Sequence, residues 1–92
     1  MAKRENLEHK VVWITGASSG IGKALAKACA LQGAQVILTA RRYEELEKVR
    51  MSLLNPERHL SVCADITNES QVLHAYEQVL ARKGRIDWLI NN

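Results

Sequence analysis

The sequence predicts an α/β fold built on a parallel sheet with helices on both faces. Three observations predict it. Four short apolar runs alternate with three stretches of helical periodicity, in the order β-α-β-α-β-α-β. The connections between them are only a few residues long, which favours right-handed crossovers between parallel strands. A glycine-rich segment joins the first apolar run to the first helical stretch.

Taken in order, Val11–Thr15 (VVWIT) is a nearly continuous β-branched run, as a strand buried on both faces requires. Ile21, Leu25, Ala28 and Cys29, with Ala24, recur at helical spacing until Gly33, a stop signal. Gln35–Ala40 (QVILTA) reads as the second strand. A helix carrying Leu46, Val49 and Leu53 follows and ends at Asn55–Pro56. Its charges pair along a solvated face as Glu44–Lys48 and Glu47–Arg50. His59–Ala64 (HLSVCA) is the third strand. Asn68 with Gln71 three residues on resembles a capping box, opening a helix that carries Val72, Tyr76, Val79 and Leu80 and stops at Gly84. Ile86–Asn91 (IDWLIN) is the fourth strand.

Ninety-two residues make at most one small domain, with 47% hydrophobic and 25% charged residues, an ordinary globular composition. Residues 1–10 read as a polar extension and 11–92 as the folded unit. No apolar run approaches the ~20 residues of a membrane helix, and no signal-peptide core follows the charged start. No membrane partner and a cytoplasmic location are therefore expected. Cys29 and Cys63 form no ligand cluster and sit among apolar neighbours, so two buried, inert thiols and no metal are expected. The net charge is +3, but the basic residues are scattered and no aromatic platform accompanies them, which argues against nucleic acid. His9, His59 and His74 share no spacing with a carboxylate and read as surface residues. Trp13 and Trp88, each in a strand, read as core.

The segment Thr15–Gly22 (TGASSGIG) lies between a buried strand and a helix. A glycine triplet means little alone, but in that place it marks a phosphate site. The chain must turn sharply, approach a ligand closely and open a helix whose free N–H groups face an anion. Gly16, Gly20 and Gly22 leave room for those tasks, and Ser18 and Ser19 can add hydroxyl donors. The spacing G-x-x-x-G-x-G lacks the Gly-Lys-Ser/Thr of a nucleoside triphosphatase loop.

With these residues in view, the chain resembles the short-chain dehydrogenases/reductases, from Lys10 onward. TGASSGIG is similar to their cofactor motif, Asp65–Thr67 (DIT) to their adenine-contacting segment, and Ile90–Asn92 (INN) to the start of their Asn-Asn-Ala-Gly motif. The resemblance implies a Rossmann-type three-layer fold with strand order 3-2-1-4 here. It also implies that backbone around Gly16 and Ile21 meets a pyrophosphate and that Asp65 accepts from the adenine amino group. Ile66 would pack on the ring, Asn92 border the cofactor ribose and Asn91 tie neighbouring strands. The activity implied is hydride transfer between a nicotinamide and a carbonyl or alcohol of a small molecule.

In dinucleotide folds an acid ~20 residues past the glycines accepts the 2′-OH of NAD. Here Ala40, Arg41 and Arg42 occupy that place, and acids appear only inside the next helix. Forked guanidinium groups suit the 2′-phosphate of NADP, so NADP is expected over NAD, with Arg41 foremost and Arg42 second.

The family's catalytic Tyr-x-x-x-Lys has no match: Tyr43 is followed four residues on by Glu47, and Tyr76 by Leu80. No catalytic residue is assigned. The expectation is the cofactor-binding half of an oxidoreductase, inactive alone, cut after its fourth strand and belonging to a homo-oligomer. The alternative is a dinucleotide-sensing module without chemistry; a Ser and a Tyr-x-x-x-Lys further along the protein would separate the two.

Overall fold

The computed structural model describes residues 7–18 and 20–92. Its four strands, β1 (Val11–Thr15), β2 (Gln35–Ala40), β3 (Leu60–Cys63) and β4 (Trp88–Asn91), form one parallel sheet in the order β3-β2-β1-β4. Three helices, α1 (Gly20–Leu31), α2 (Tyr43–Ser52) and α3 (Glu69–Lys83), connect them, with a short 3-10 turn at Pro56–Arg58 that the sequence reading did not anticipate. The predicted order and fold are those observed.

Every residue of β1 is buried because the strand is central and covered on both sides. Ile14 lies in register between Leu38 of β2 and Ile90 of β4. On one face Val12, Ile14, Val36 and Leu38 meet Ala26, Cys29 and Ala30 of α1 and Leu46 and Val49 of α2. On the other, Val11, Trp13, Ile37 and Val62 meet Ala75 and Val79 of α3. Each fully buried aliphatic side chain stabilises the fold by ~1.5–3 kcal/mol relative to exposure. Trp13 is held in place by its indole N–H, which donates to Thr39 Oγ1 at 2.7 Å.

Helix boundaries follow local chemistry. Asn68 Oδ1 accepts from the Gln71 amide at 3.1 Å, capping α3. The reciprocal half of the expected box is not made; Gln71 Oε1 instead accepts from the Asp65 amide at 2.8 Å. Gly84, at φ +80°, ends the helix in the left-handed conformation that glycine adopts without strain. In α2 the Arg50 guanidinium forks onto Glu47 (2.8 Å) as expected, whereas Lys48 meets Glu45 (3.7 Å) rather than Glu44.

Several sequence expectations are corrected. Helix α1 buries Gly22, Ala26, Cys29 and Ala30, while Ile21 is 71% exposed and Ala28 exposed. Cys29 is buried, and burial raises its thiol pKa, but Cys63 is exposed, its thiol donating to the Arg41 carbonyl at 2.9 Å. Period-2 alternation turns Val62 inward and Cys63 outward. Trp88 is 45% exposed on the edge strand, and Tyr76, also partly exposed, stacks on Trp13 with centroids 6.5 Å apart.

His59 is buried rather than superficial. Its Nδ1 accepts from the Val36 amide at 3.0 Å, so the proton sits on Nε2, which donates to the Leu54 carbonyl at 2.8 Å. The ring thereby ties the start of β2 to the segment after α2. Burial, assisted by the charges of Arg58, Lys83 and Arg50, holds its pKa below the ordinary 6.5. The folded state therefore favours the neutral ring. Its contribution is full above pH ~6.5 and declines as pH falls towards the depressed folded value. Urea midpoints should drop between pH 7.5 and 5.5, and drop less in a His59→Gln variant that is already weaker at pH 7.5. An equal drop in both chains would remove His59 as the cause.

Candidate functional site

The carboxyl ends of all four strands open on the same edge of the sheet. Each strand leads there into a residue that the sequence singles out. After β1 the chain turns at Gly16, φ +62°, and the buried Ala17 amide bonds to the Thr39 carbonyl at 3.2 Å, holding the turn against β2. Gly22 faces back onto this turn. A Cβ there would lie 2.2 Å from the Gly16 carbonyl oxygen, so only glycine lets α1 start this close. At Gly20 a Cβ would meet nothing within 4 Å; φ +58°, not space, is the demand on that residue.

The end of β4 is clamped to the same turn. Thr15 Oγ1 donates to Asn91 Oδ1 at 2.8 Å and accepts from the Asn92 amide at 3.2 Å. Asn92 Nδ2 donates to the Gly16 carbonyl at 3.1 Å. Asn91 thus ties β4 to β1, as the sequence suggested, and Asn92 braces the glycine turn.

Between the glycine turn and the ends of β2 and β3 lies a cleft of about 650 Å³. Gly16, Ser18, Arg41, Arg42, Asp65 and Ile66 line it together with Ala40, Glu45, Ala64 and Thr67. Gly22 and Asn92 lie against Gly16 and do not line the cleft, and Gly20 and Ile21 are exposed at the start of α1. Ser19 lies outside the described residues. Among the described residues neither Arg41 nor Arg42 forms an ion pair, the observed pairs being Glu45–Lys48, Glu47–Arg50 and Asp87–Arg85.

Asp65 Oδ1 accepts from both the amide (2.9 Å) and the hydroxyl (2.7 Å) of Thr67. These bonds, with the charge of Arg41, hold its carboxyl below the ordinary range. It stays ionised, turned by Thr67, with Oδ2 available as an acceptor. Two polar wall residues, Thr67 and Glu45, were given no site role of their own by the sequence reading. Thr67 was legible as the partner in an Asp-x-Thr turn. Glu45 was legible as the acid four residues past Arg41, which the first turn of α2 brings round to the cleft.

Among the described residues no cluster of three metal-ligating side chains occurs, and no helix is long and apolar enough to cross a membrane. A second, apolar hollow of about 460 Å³ lies beside α3 and β4, walled by Trp13, Leu73, Tyr76 and Leu89 among others.

A glycine turn braced against a helix start, with cations and an acid at the neighbouring strand ends, suits a nucleotide but is not unique to one family. The decisive finding is that the family model for short chain dehydrogenase matches residues 10–92. The chain belongs to the short chain dehydrogenase family. It is 41% identical over 90 residues to a fatty acyl-CoA reductase of Acinetobacter baylyi, covering 97% of this chain and 30% of the relative. It is 42% identical over 91 residues to dehydrogenase/reductase SDR family member 7 of Homo sapiens, covering 94% and 27%. Among solved structures, a short chain dehydrogenase from Bacillus anthracis superposes with a TM-score of 0.89 at 40% identity, over 96% of this chain and 36% of that one. A 3-ketoacyl-(acyl-carrier-protein) reductase of Brucella melitensis, complexed with NADH, gives 0.85 at 39% identity, over 91% and 34%. This short chain dehydrogenase sequence thus spans between a quarter and a third of the length of these curated relatives.

Proposed function

We propose that the chain holds the adenosine and pyrophosphate end of a nicotinamide dinucleotide, NADP in preference to NAD, in an oxidoreductase acting on a carbonyl or alcohol. The observation that carries the reading is the pair Arg41 and Arg42, without ion-pair partners among the described residues, on the wall of a cleft that begins at the glycine turn. The residues present fit the group. Glycine at 22, where a Cβ would stand 2.2 Å from the Gly16 carbonyl oxygen, lets the turn lie against the start of α1, and the amides of a helix start favour an anion.

In this reading the backbone at Gly16 and Ile21 meets the pyrophosphate, with Ser18 on the wall. Arg41, seconded by Arg42, takes the 2′-phosphate by charge-assisted bonds. Asp65 accepts from the adenine amino group through the oxygen that Thr67 leaves available, and Ile66 covers the ring. Asn92 borders the ribose while its side chain keeps the Gly16 turn in shape. The bound nicotinamide supplies the hydride exchanged with the substrate carbon. The exposed apolar surface of β4, Trp88 and Leu89, supports assembly as a homo-oligomer.

Adenosine 2′,5′-bisphosphate and adenosine 5′-monophosphate differ only in the 2′-phosphate, so calorimetric titration with both isolates its contribution. We expect the bisphosphate to bind about tenfold more tightly at low ionic strength, with the margin shrinking as salt is added. Equal affinities would overturn the NADP preference; no binding of either would overturn the dinucleotide reading.

A further inference from the structure

We infer that Glu45 is a specificity-determining residue of the cleft: its carboxylate limits the preference for 2′-phosphorylated nucleotide and offers an acceptor to an unmodified ribose hydroxyl. The inference rests on the nucleotide reading above and refines it into a site that accepts both forms of the cofactor.

The wall that carries Arg41 and Arg42 also carries Glu45. The arginines favour a phosphate dianion and the carboxylate opposes it. Lining one cleft of about 650 Å³, both act over distances comparable to the ~8–10 Å Debye length, so their competition is felt at low salt and screened at high salt. The start of α2 sharpens the competition. Its N-cap is Arg42, which makes no side-chain capping bond, and Glu44 and Glu45 lie in the first turn. The positive end of the helix is thereby offered a resident anion from its own sequence.

The other acid of the cleft is differently committed. Asp65 is turned by two bonds from Thr67 to one of its oxygens. Among the described residues Glu45 is held by a 3.7 Å pair with Lys48 and no other, the Lys48 side chain being 76% exposed against 46% for Glu45. Such a pair is weak and screened. Glu45 is accordingly the acid on this wall that can both repel a phosphate and turn to accept from a hydroxyl.

The test uses the 92-residue chain and the same two adenosine probes, with Glu45→Gln and Lys48→Met beside the wild type. Glutamine is nearly isosteric and a good helix former, and the position is half-exposed. Removing the charge should raise affinity for the bisphosphate about three- to tenfold at low salt and leave the monophosphate unchanged or weaker. The gain should fade in 0.5 M salt, which a merely structural change would not do. Lys48→Met, which leaves the carboxylate without its neighbouring cation, should move the bisphosphate-to-monophosphate ratio the other way. An unchanged ratio in Glu45→Gln, with both probes still bound by the wild type, overturns the inference and leaves the nucleotide reading standing. Loss of all binding by the wild type overturns both.

Discussion

Gly22→Ala is expected to destabilise the fold by about 1–3 kcal/mol and to lower nucleotide affinity more than tenfold. Two effects oppose each other at this residue. Alanine is the better helix former by ~1 kcal/mol. Yet its Cβ would stand 2.2 Å from the Gly16 carbonyl oxygen and 2.9 Å from Asn92 Nδ2. The first neighbour is backbone, so no rotamer change relieves the contact. The Gly16 peptide must move, and with it goes the bond it accepts from Asn92. The steric effect therefore wins. Gly20→Ala is the internal comparison: its Cβ has open space, and only the φ of +58° is at stake, for about 1 kcal/mol. Urea unfolding and titration with adenosine 2′,5′-bisphosphate on both variants measure the difference. A Gly22→Ala chain with wild-type midpoint and affinity would show that the turn is not the cradle it is argued to be.

The contrast between these two glycines marks how far the sequence could be read. A parallel sheet followed from the alternation of strands and helices, whereas the order 3-2-1-4 came with the family resemblance, because right-handed crossovers fit several orders. The glycine turn was legible because strand, glycines and helix occur together. Which glycine is sterically required was not, since that depends on Gly16 and Asn92, distant in sequence and brought together by the pairing of β1 with β4. The buried face of α1 was misread for a different reason. Its core residues are Gly22, Ala26, Cys29 and Ala30. In a helix so rich in alanine the larger Ile21 and Leu25 dominate any periodic pattern, yet small residues are what let the helix lie close to the sheet.

His59 and Cys63 show the limit for single residues. Nothing in the spacing of His59 announces that its ring will satisfy the amide of Val36, a strand residue 23 positions away. Cys63 follows Val62 in a four-residue strand, and its outward turn is set by register with β2, not by its apolar neighbours. Glu45 failed for a third reason. Its charge pattern is that of a solvated face, and it is one, but the same helix turn also lines the cleft.

Arg41→Asp should reverse the nucleotide preference of the chain. In the proposed reading the wild-type margin depends on guanidinium contacts to the 2′-phosphate, each hydrogen bond to a charged group contributing about 1.5–3 kcal/mol. An aspartate in that place removes the contact and adds a repulsive charge, so affinity for adenosine 2′,5′-bisphosphate should fall by about a hundredfold or more. Affinity for adenosine 5′-monophosphate should change by less than about threefold, because the lost interaction belongs to a group that this probe lacks. The backbone need not move. The Arg41 carbonyl is anchored by the Cys63 thiol at 2.9 Å, a bond to which the residue 41 side chain contributes nothing. The side chain itself is exposed, so the fold should keep its midpoint in urea. Arg42→Gln should do less, since Arg42 doubles as the N-cap of α2 and has the weaker claim on the phosphate. A parallel loss for both probes in Arg41→Asp would mean that the arginine acts on the cleft as a whole. The preference for NADP would then have to be sought elsewhere on the wall.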